Sequence, residues 1–261
     1  MVRAKKHLGQ HFLKDASIAE RIAQEIDGES GNVLEIGPGT GILTKPLIVK
    51  NFKSLKLIEL DSESVEYLQK NFVESDFELI EGDFLKLNLD DIFGTQSFSL
   101  TGNFPYNISS QILFRIFENR EMIPEMVGMF QKEVAERVAA DEGSKTYGIL
   151  SVLLKVYYDI EYLFTVEPHL FSPPPKVKSA VIKLKRNKRT ALPFRDKKFK
   201  SVVKMAFNQR RKTLRNALSA MIPENPSEEI KKYLHKRAEQ LSPEEFIDLA
   251  TLLIRAQKDR S

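Results

Sequence analysis

The tetrapeptide Asn103-Phe104-Pro105-Tyr106 holds the residue types that one demanding reaction needs. An amino group conjugated to a heteroaromatic ring is a poor nucleophile, because its lone pair is delocalised. The Asn103 side-chain oxygen and nearby backbone carbonyls can accept both N–H hydrogens and align the nitrogen with an electrophilic sulfonium methyl. Pro105 fixes the turn, and Tyr106 supplies a face on which an extruded base stacks. Such a transfer needs no metal and no strong general base. It depends on holding nucleophile and methyl in line, with the proton lost afterwards. Asn103, Phe104, Pro105 and Tyr106 are therefore the candidate catalytic residues. A proline turn whose aromatics pack in the core is the competing structural explanation.

A second group of residues suits a nucleoside ligand. Glu35-Ile36-Gly37-Pro38-Gly39-Thr40-Gly41 has the spacing G-x-G-x-G, not the G-x-G-x-x-G of a pyrophosphate site. The acid before the turn favours a cationic or amino-bearing ligand over a phosphate. Glu59 follows Gly37 by 22 positions, where a carboxylate can accept hydrogen bonds from ribose hydroxyls. Asp61, just before Ser62-Glu63, is better placed to cap a helix. Asp83, in Glu81-Gly82-Asp83, offers an acceptor for an adenine amino group.

These residues need a scaffold that brings them to one edge. Apolar runs at 32–36, 56–60, 77–80 and 98–101 predict strands, and helical spacing appears at 41–50, 62–72 and 109–118. Each glycine or acid named above closes a strand. The alternation predicts an α/β fold, a Rossmann-like parallel sheet with helices on both faces, whose ligands bind at the carboxyl ends of the strands. Two more stretches, 126–130 and 179–184, complete the sheet. Beyond 192–193 only helix-like segments follow, at 197–207, 211–219, 228–235 and 244–256, so a small all-helical domain is expected. We place the domains at 1–187 and 188–261.

Charge divides the chain in a similar way. Residues 185–261 hold 20 Lys and Arg against 9 Asp and Glu, a net +11, and the remainder carries −7. A basic segment on an acidic body is the footprint of a polyanion binder, although a solvated basic face is also consistent with it. Zero cysteines exclude disulfides, thiolate metal sites and cysteine nucleophiles. No apolar run reaches the roughly 20 residues of a membrane span, and the first residues lack a signal-peptide core. A cytoplasmic protein is expected, and the absence of long heptads suggests a monomer.

The order Gly9-Gln10-His11-Phe12-Leu13, Glu35 to Gly41, Glu59-Leu60-Asp61, Gly82-Asp83 and Asn103 to Ser109 resembles the ribosomal RNA adenine dimethyltransferases. The resemblance continues through Gln131-Lys132-Glu133, Phe171-Ser172-Pro173-Pro174-Pro175-Lys176-Val177 and Phe207 to Asn216, and so spans nearly the whole chain. The last two stretches look like the housekeeping small-subunit (KsgA-type) enzymes rather than their macrolide-resistance relatives. The resemblance implies a class I methyltransferase sheet. It also implies that S-adenosylmethionine, without a metal, donates two methyls to each of two adjacent adenosines near the 3′ end of small-subunit rRNA. His11 and Leu13 would cover the methionine end of the cofactor and Gly37 would lie beneath it. Glu59 would hold the ribose, Asp83 the adenine amino group and Asn103 the reacting centre, while Tyr106 and Phe171 sandwich the target base. Arg210, Arg211, Lys212 and Arg215, read as one basic helix, would contact rRNA phosphates. Two positions depart from the common pattern: Phe104 replaces the usual leucine, and His11 a frequent asparagine. Three alternatives remain at this point: a large-subunit rRNA methyltransferase, a DNA adenine methyltransferase, and a non-catalytic assembly factor holding the small ribosomal subunit.

Overall fold

The computed structural model describes residues 2–73 and 76–258. The chain forms two compact units, Met1–Ala135 with Asp159–Arg186, and Glu136–Tyr158 with Asn187–Ser261.

The first unit holds nine strands among its described residues: β1 Phe12–Leu13, β2 Asn32–Ile36, β3 Ser54–Glu59, β4 Glu78–Glu81, β5 Ser99–Asn103, β6 Glu125–Gln131, β7 Tyr158–Val166, β8 Phe171–Ser172 and β9 Ser179–Arg186. Seven of them make one sheet in the order β4-β3-β2-β5-β6-β9-β7, and β1 pairs with β8 separately. The ladders joining β4, β3, β2, β5 and β6 are parallel, and β9 runs antiparallel to β6. Every residue of β2 is buried, as its unbroken apolar run requires at the centre of a covered sheet. From β2 the chain first builds outward through β3 and β4, then returns to add β5 and β6 on the other side. The strand order reverses between β2 and β5, and a crevice opens there at the carboxyl ends.

The helices that cover this sheet have local causes. In α1 (Ala16–Gln24) the Asp15 carboxylate caps the first turn through the N–H groups of Ser17 and Ile18, and Ile18, Ala19, Ile22 and Ala23 are buried. In α2 (Thr44–Val49) Pro46 is the third residue, where a missing N–H costs nothing. Asp61 caps α3 (Ser62–Asn71). A short α4 (Asp90–Phe93) follows, and α5 (Ser109–Glu118) buries Ile112, Leu113, Ile116 and Phe117. Neither α1 nor β7 is among the elements expected from periodicity.

With α6 (Lys132–Ala139) the chain passes into the second unit. That unit takes in residues 136–158 as well as the tail, which a single break near 187 does not foresee. The reason is that α7 (Ile149–Lys155), with Leu150, Val152, Leu153 and Leu154 buried, packs with α8 (Asp196–Asn208) and α11 (Pro243–Lys258). Between them lie α9 (Leu214–Ala217) and α10 (Glu228–Leu234). The helix expected over 211–219 is only α9. Thr213 is extended and bridges Arg237, and the Leu214 N–H donates to the Lys236 carbonyl at 2.8 Å, so 209–213 form a turn. Among the described residues no helix is long and apolar enough to cross a membrane.

Candidate active site

Four strand ends meet in the crevice of the first unit. Gly37 follows β2, Glu59 ends β3, Asp83 follows β4 and Asn103 ends β5, and all four line one cleft. The sheet topology therefore assembles these expected residues.

At the glycine turn Gly37 has φ +64°, and a Cβ there would meet nothing within 4 Å, so the backbone opens directly on free space. Gly39, at φ +57°, is closed in by the ring of Phe12, 2.8 Å from where its Cβ would stand. Glu59 ties the turn to β3. One carboxylate oxygen accepts the Gly39 N–H at 3.0 Å, and the other accepts those of Leu60 and Asp61 at 2.8 and 2.9 Å. Burial raises its pKa against the pull of these three donors. A carboxylate has about four acceptor sites, so capacity remains for a ligand hydroxyl.

Asp61 does more than cap α3. Its carboxylate also accepts from Lys5 and, at 3.2 Å, from the Gln10 amide. Burial opposes its ionisation, but the bonds from Lys5, Gln10 and Ser64 outweigh burial and hold its pKa low. The N-terminal segment is thereby pinned beside the cleft. It is held again at Asn103, whose Nδ2 donates to the His11 carbonyl at 2.8 Å. That bond fixes the amide, so Oδ1 is the atom available as an acceptor.

Two rings stand next to Asn103. His11 and Tyr106 have centroids 5.3 Å apart and planes inclined by 30°. The His11 Nδ1 lies 2.8 Å from the Pro173 carbonyl oxygen, which can only accept, so this nitrogen carries the hydrogen. The Tyr106 hydroxyl is hydrogen bonded to that of Ser179, and burial raises its pKa.

Leu13 and Phe171 lie elsewhere. They are register partners across β1 and β8, and both side chains are buried in the core. Side chains alternate along a strand, so the residue of β1 that faces the cleft is Phe12. Neither Leu13 nor Phe171 offers a side chain to a ligand here, and His11 takes the place beside Tyr106. Glu35 also faces inward rather than toward a ligand. It is buried, accepts from the Thr44 hydroxyl at 2.7 Å, and burial with Glu59 nearby pushes its pKa up to about 8. Lys5 is not among the residues expected from sequence, and Gln10 and Phe12 entered only as members of the stretch Gly9–Leu13, without a role; the alternation of Phe12 with Leu13 was the local signal for which of the two faces the cleft. Phe104 is buried, with its N–H on the Met129 carbonyl at 3.1 Å.

In the second unit Arg211, Lys212 and Arg215 are exposed. Arg210 is engaged within that unit, donating to the Ser144 carbonyl at 3.2 Å and lying 3.6 Å from Glu239.

The family described as ribosomal RNA adenine dimethylase matches residues 1–255. The chain is 56% identical over 254 residues to the ribosomal RNA small subunit methyltransferase A of Cytophaga hutchinsonii, covering 97% of this chain and 98% of the relative. The protein of the same name from Flavobacterium johnsoniae is 55% identical, with 95% of each covered. A dimethyladenosine transferase from Plasmodium falciparum superposes with a TM-score of 0.78 at 28% identity, over 95% of this chain and 98% of that one. The 23S rRNA methyltransferase ErmE gives 0.75 at 25% identity, over 93% and 99%. With a family match over almost its whole length and a strand order that gathers the glycine turn, two acids and Asn103 in one cleft, the chain belongs to the ribosomal RNA adenine dimethylase family.

Proposed function

We propose that this chain transfers methyl groups to N6 of two adjacent adenosines near the 3′ end of small-subunit rRNA, giving N6,N6-dimethyladenosine. It would act as a monomer on the small ribosomal subunit during its biogenesis, in the cytoplasm. The observation that carries the proposal is the Asn103 amide, held by the His11 carbonyl with Oδ1 left as acceptor at the end of β5.

The residues of the cleft fit S-adenosylmethionine. The space over Gly37 admits a ligand against the backbone, Glu59 has acceptor capacity for ribose, and Asp83 presents a carboxylate for an adenine amino group. When bound, the cofactor supplies an electrophilic sulfonium methyl. The protein's part is to hold the nucleophile. Asn103 Oδ1 accepts one N–H of the target amine and so directs its nitrogen lone pair. Tyr106, anchored by Ser179, offers its ring to the extruded base. The proton leaves after the N–C bond has formed, so a strong base is unnecessary. Arg211, Lys212 and Arg215 give the second unit a surface for rRNA phosphates.

The choice of small-subunit rRNA rests on relatives that bear that name at 50–56% identity, against 25% for ErmE. The test is transfer from labelled S-adenosylmethionine to small subunits lacking the modification, with nucleoside analysis, comparing wild type with Asn103→Ala. Dimethyladenosine in small-subunit rRNA, lost in the variant, is the expected result. Label in large-subunit RNA or in DNA would reject the substrate, and no transfer to any nucleic acid would favour an assembly factor.

A further inference from the structure

Asp83 sits at the head of a loop that is held both by its own bonds and from outside. The Gly82 N–H is fixed by the Glu59 carbonyl at 2.8 Å, and the Asp83 carbonyl accepts from Lys86 and Leu87 at 2.9 and 3.1 Å. The Asp83 carboxylate takes one backbone donor, the Leu85 N–H, 3.0 Å from Oδ1, while its Oδ2 lies 3.4 Å from the exposed Lys86 ammonium. Leu85 is held in turn from outside the loop. Arg115, on α5, donates through Nη1 to the Leu85 carbonyl at 2.9 Å and through Nη2 to the Leu87 carbonyl. Its guanidinium carbon also lies 5.0 Å from the centroid of the Phe84 ring. One planar fork thus grips three successive parts of the loop, as a lysine's single ammonium cannot.

The arrangement is poor as simple filling. The Arg115 Nε is buried without a hydrogen-bond partner, a cost that an apolar side chain of the same length would avoid. What the arginine adds is a fixed backbone at Leu85, and hence a fixed Asp83 carboxylate.

We propose that Arg115 is a positioning residue for the cofactor, setting through the Leu85 main chain the carboxylate of Asp83 that receives the adenine amino group. The proposal rests on Asp83 having that role. It has a further consequence for the architecture of the site. Helix α5 begins directly after the turn Tyr106–Ile108, so the helix that steadies the cofactor's adenine also carries the stacking residue at its entrance.

The test measures binding, by calorimetry, of S-adenosylhomocysteine and of its analogue with hydrogen in place of the adenine amino group. Arg115→Met is expected to weaken S-adenosylhomocysteine about tenfold and the deamino analogue by less than about twofold. Arg115→Lys should fall between, since it keeps one carbonyl contact; it decides the matter by the same comparison if the methionine variant does not fold. The double variant with Asp83→Asn should bind no more weakly than Asp83→Asn alone, because both changes remove one interaction. Equal loss for both ligands, additive losses, or unchanged binding would each overturn the role of Arg115. If Asp83→Asn itself does not distinguish the two ligands, the assignment of Asp83 fails first, and this proposal with it.

Discussion

The ring of Phe104 lies on Gly128, so closely that a Cβ on that glycine would fall 2.1 Å from the ring edge. Gly128 is the register partner of Gly102, where a Cβ would meet the same ring at 3.1 Å and the Ile36 carbonyl at 2.5 Å. Phe130 stands on another side, its centroid 4.8 Å away. Two facing glycines therefore make the room for a phenylalanine next to Asn103. Gly128→Ala is expected to cost about 1–3 kcal/mol in urea denaturation, as overpacking does, and to lower the rate of methyl transfer by moving Asn103. Phe104→Leu in the same chain should recover part of both losses. An alanine accepted at no cost would mean that the ring has somewhere to go.

Glu35 predicts a pH dependence of stability. Its carboxyl, ordinarily near 4.5, is pushed to about 8 by burial, so the folded chain holds a proton that the unfolded chain has already lost between those values. The stabilisation from this group is complete below pH 4.5, declines as pH rises, and is gone above 8. Over that window wild type should lose on the order of a few kcal/mol relative to Glu35→Gln, which keeps an acceptor for Thr44 and has no charge to bury. Parallel stability curves for the two proteins between pH 5 and about 8 would contradict a neutral Glu35.

Lys5 and Gln10 separate two jobs of Asp61. Gln10→Ala removes one tether of the N-terminal segment and leaves the α3 cap intact, whereas Asp61→Ala removes both. The first variant is therefore expected to raise the KM for cofactor several-fold with little change in stability. The second should also lose about 1 kcal/mol, the usual worth of an N-cap. Limited proteolysis ahead of Phe12 should be faster in both. A Gln10→Ala protein with unchanged KM and cleavage would show that Lys5, with the His11 contacts to Asn103 and Pro173, holds the segment without it.

How much of this was legible depends on the range of the cause. Asn32–Ile36 and Ser109–Glu118 fall where their apolar patterns end, because burial at the sheet centre and on one helix face dictates both. The cleft acids could be found because a parallel sheet sends each strand's end to the same edge. Two of the elements not expected had local signals: Asp15 precedes the α1 pattern, and Asp159 and Glu161 alternate with Ile160 and Tyr162 in β7. Other features had none. Lys5 meets Asp61 across 56 residues and Arg115 meets Leu85 across 30, and no spacing rule reaches that far. At 210–213 the composition reads as helix, but the bridge from Thr213 to Arg237 overrides it.

That bridge divides the basic residues into two kinds. Arg211 and Lys212 project from the turn and Arg215 from α9, all exposed, while Arg210 folds back on Ser144 and Glu239. Exposed cations near phosphates release counterions, so Arg211→Glu with Lys212→Glu should weaken binding to the small subunit. The slope of log affinity against log salt should become shallower by roughly one to two units. Arg210→Ala should leave that slope unchanged and instead lower the stability of its own unit by about 1.5 kcal/mol, the low end for a hydrogen bond to a charged group. Salt titrations of the two proteins, with denaturation curves alongside, separate the roles. If Arg210→Ala flattens the slope as much as the double variant, its bond to Ser144 gives way to RNA, and the turn acts as one continuous phosphate-binding surface.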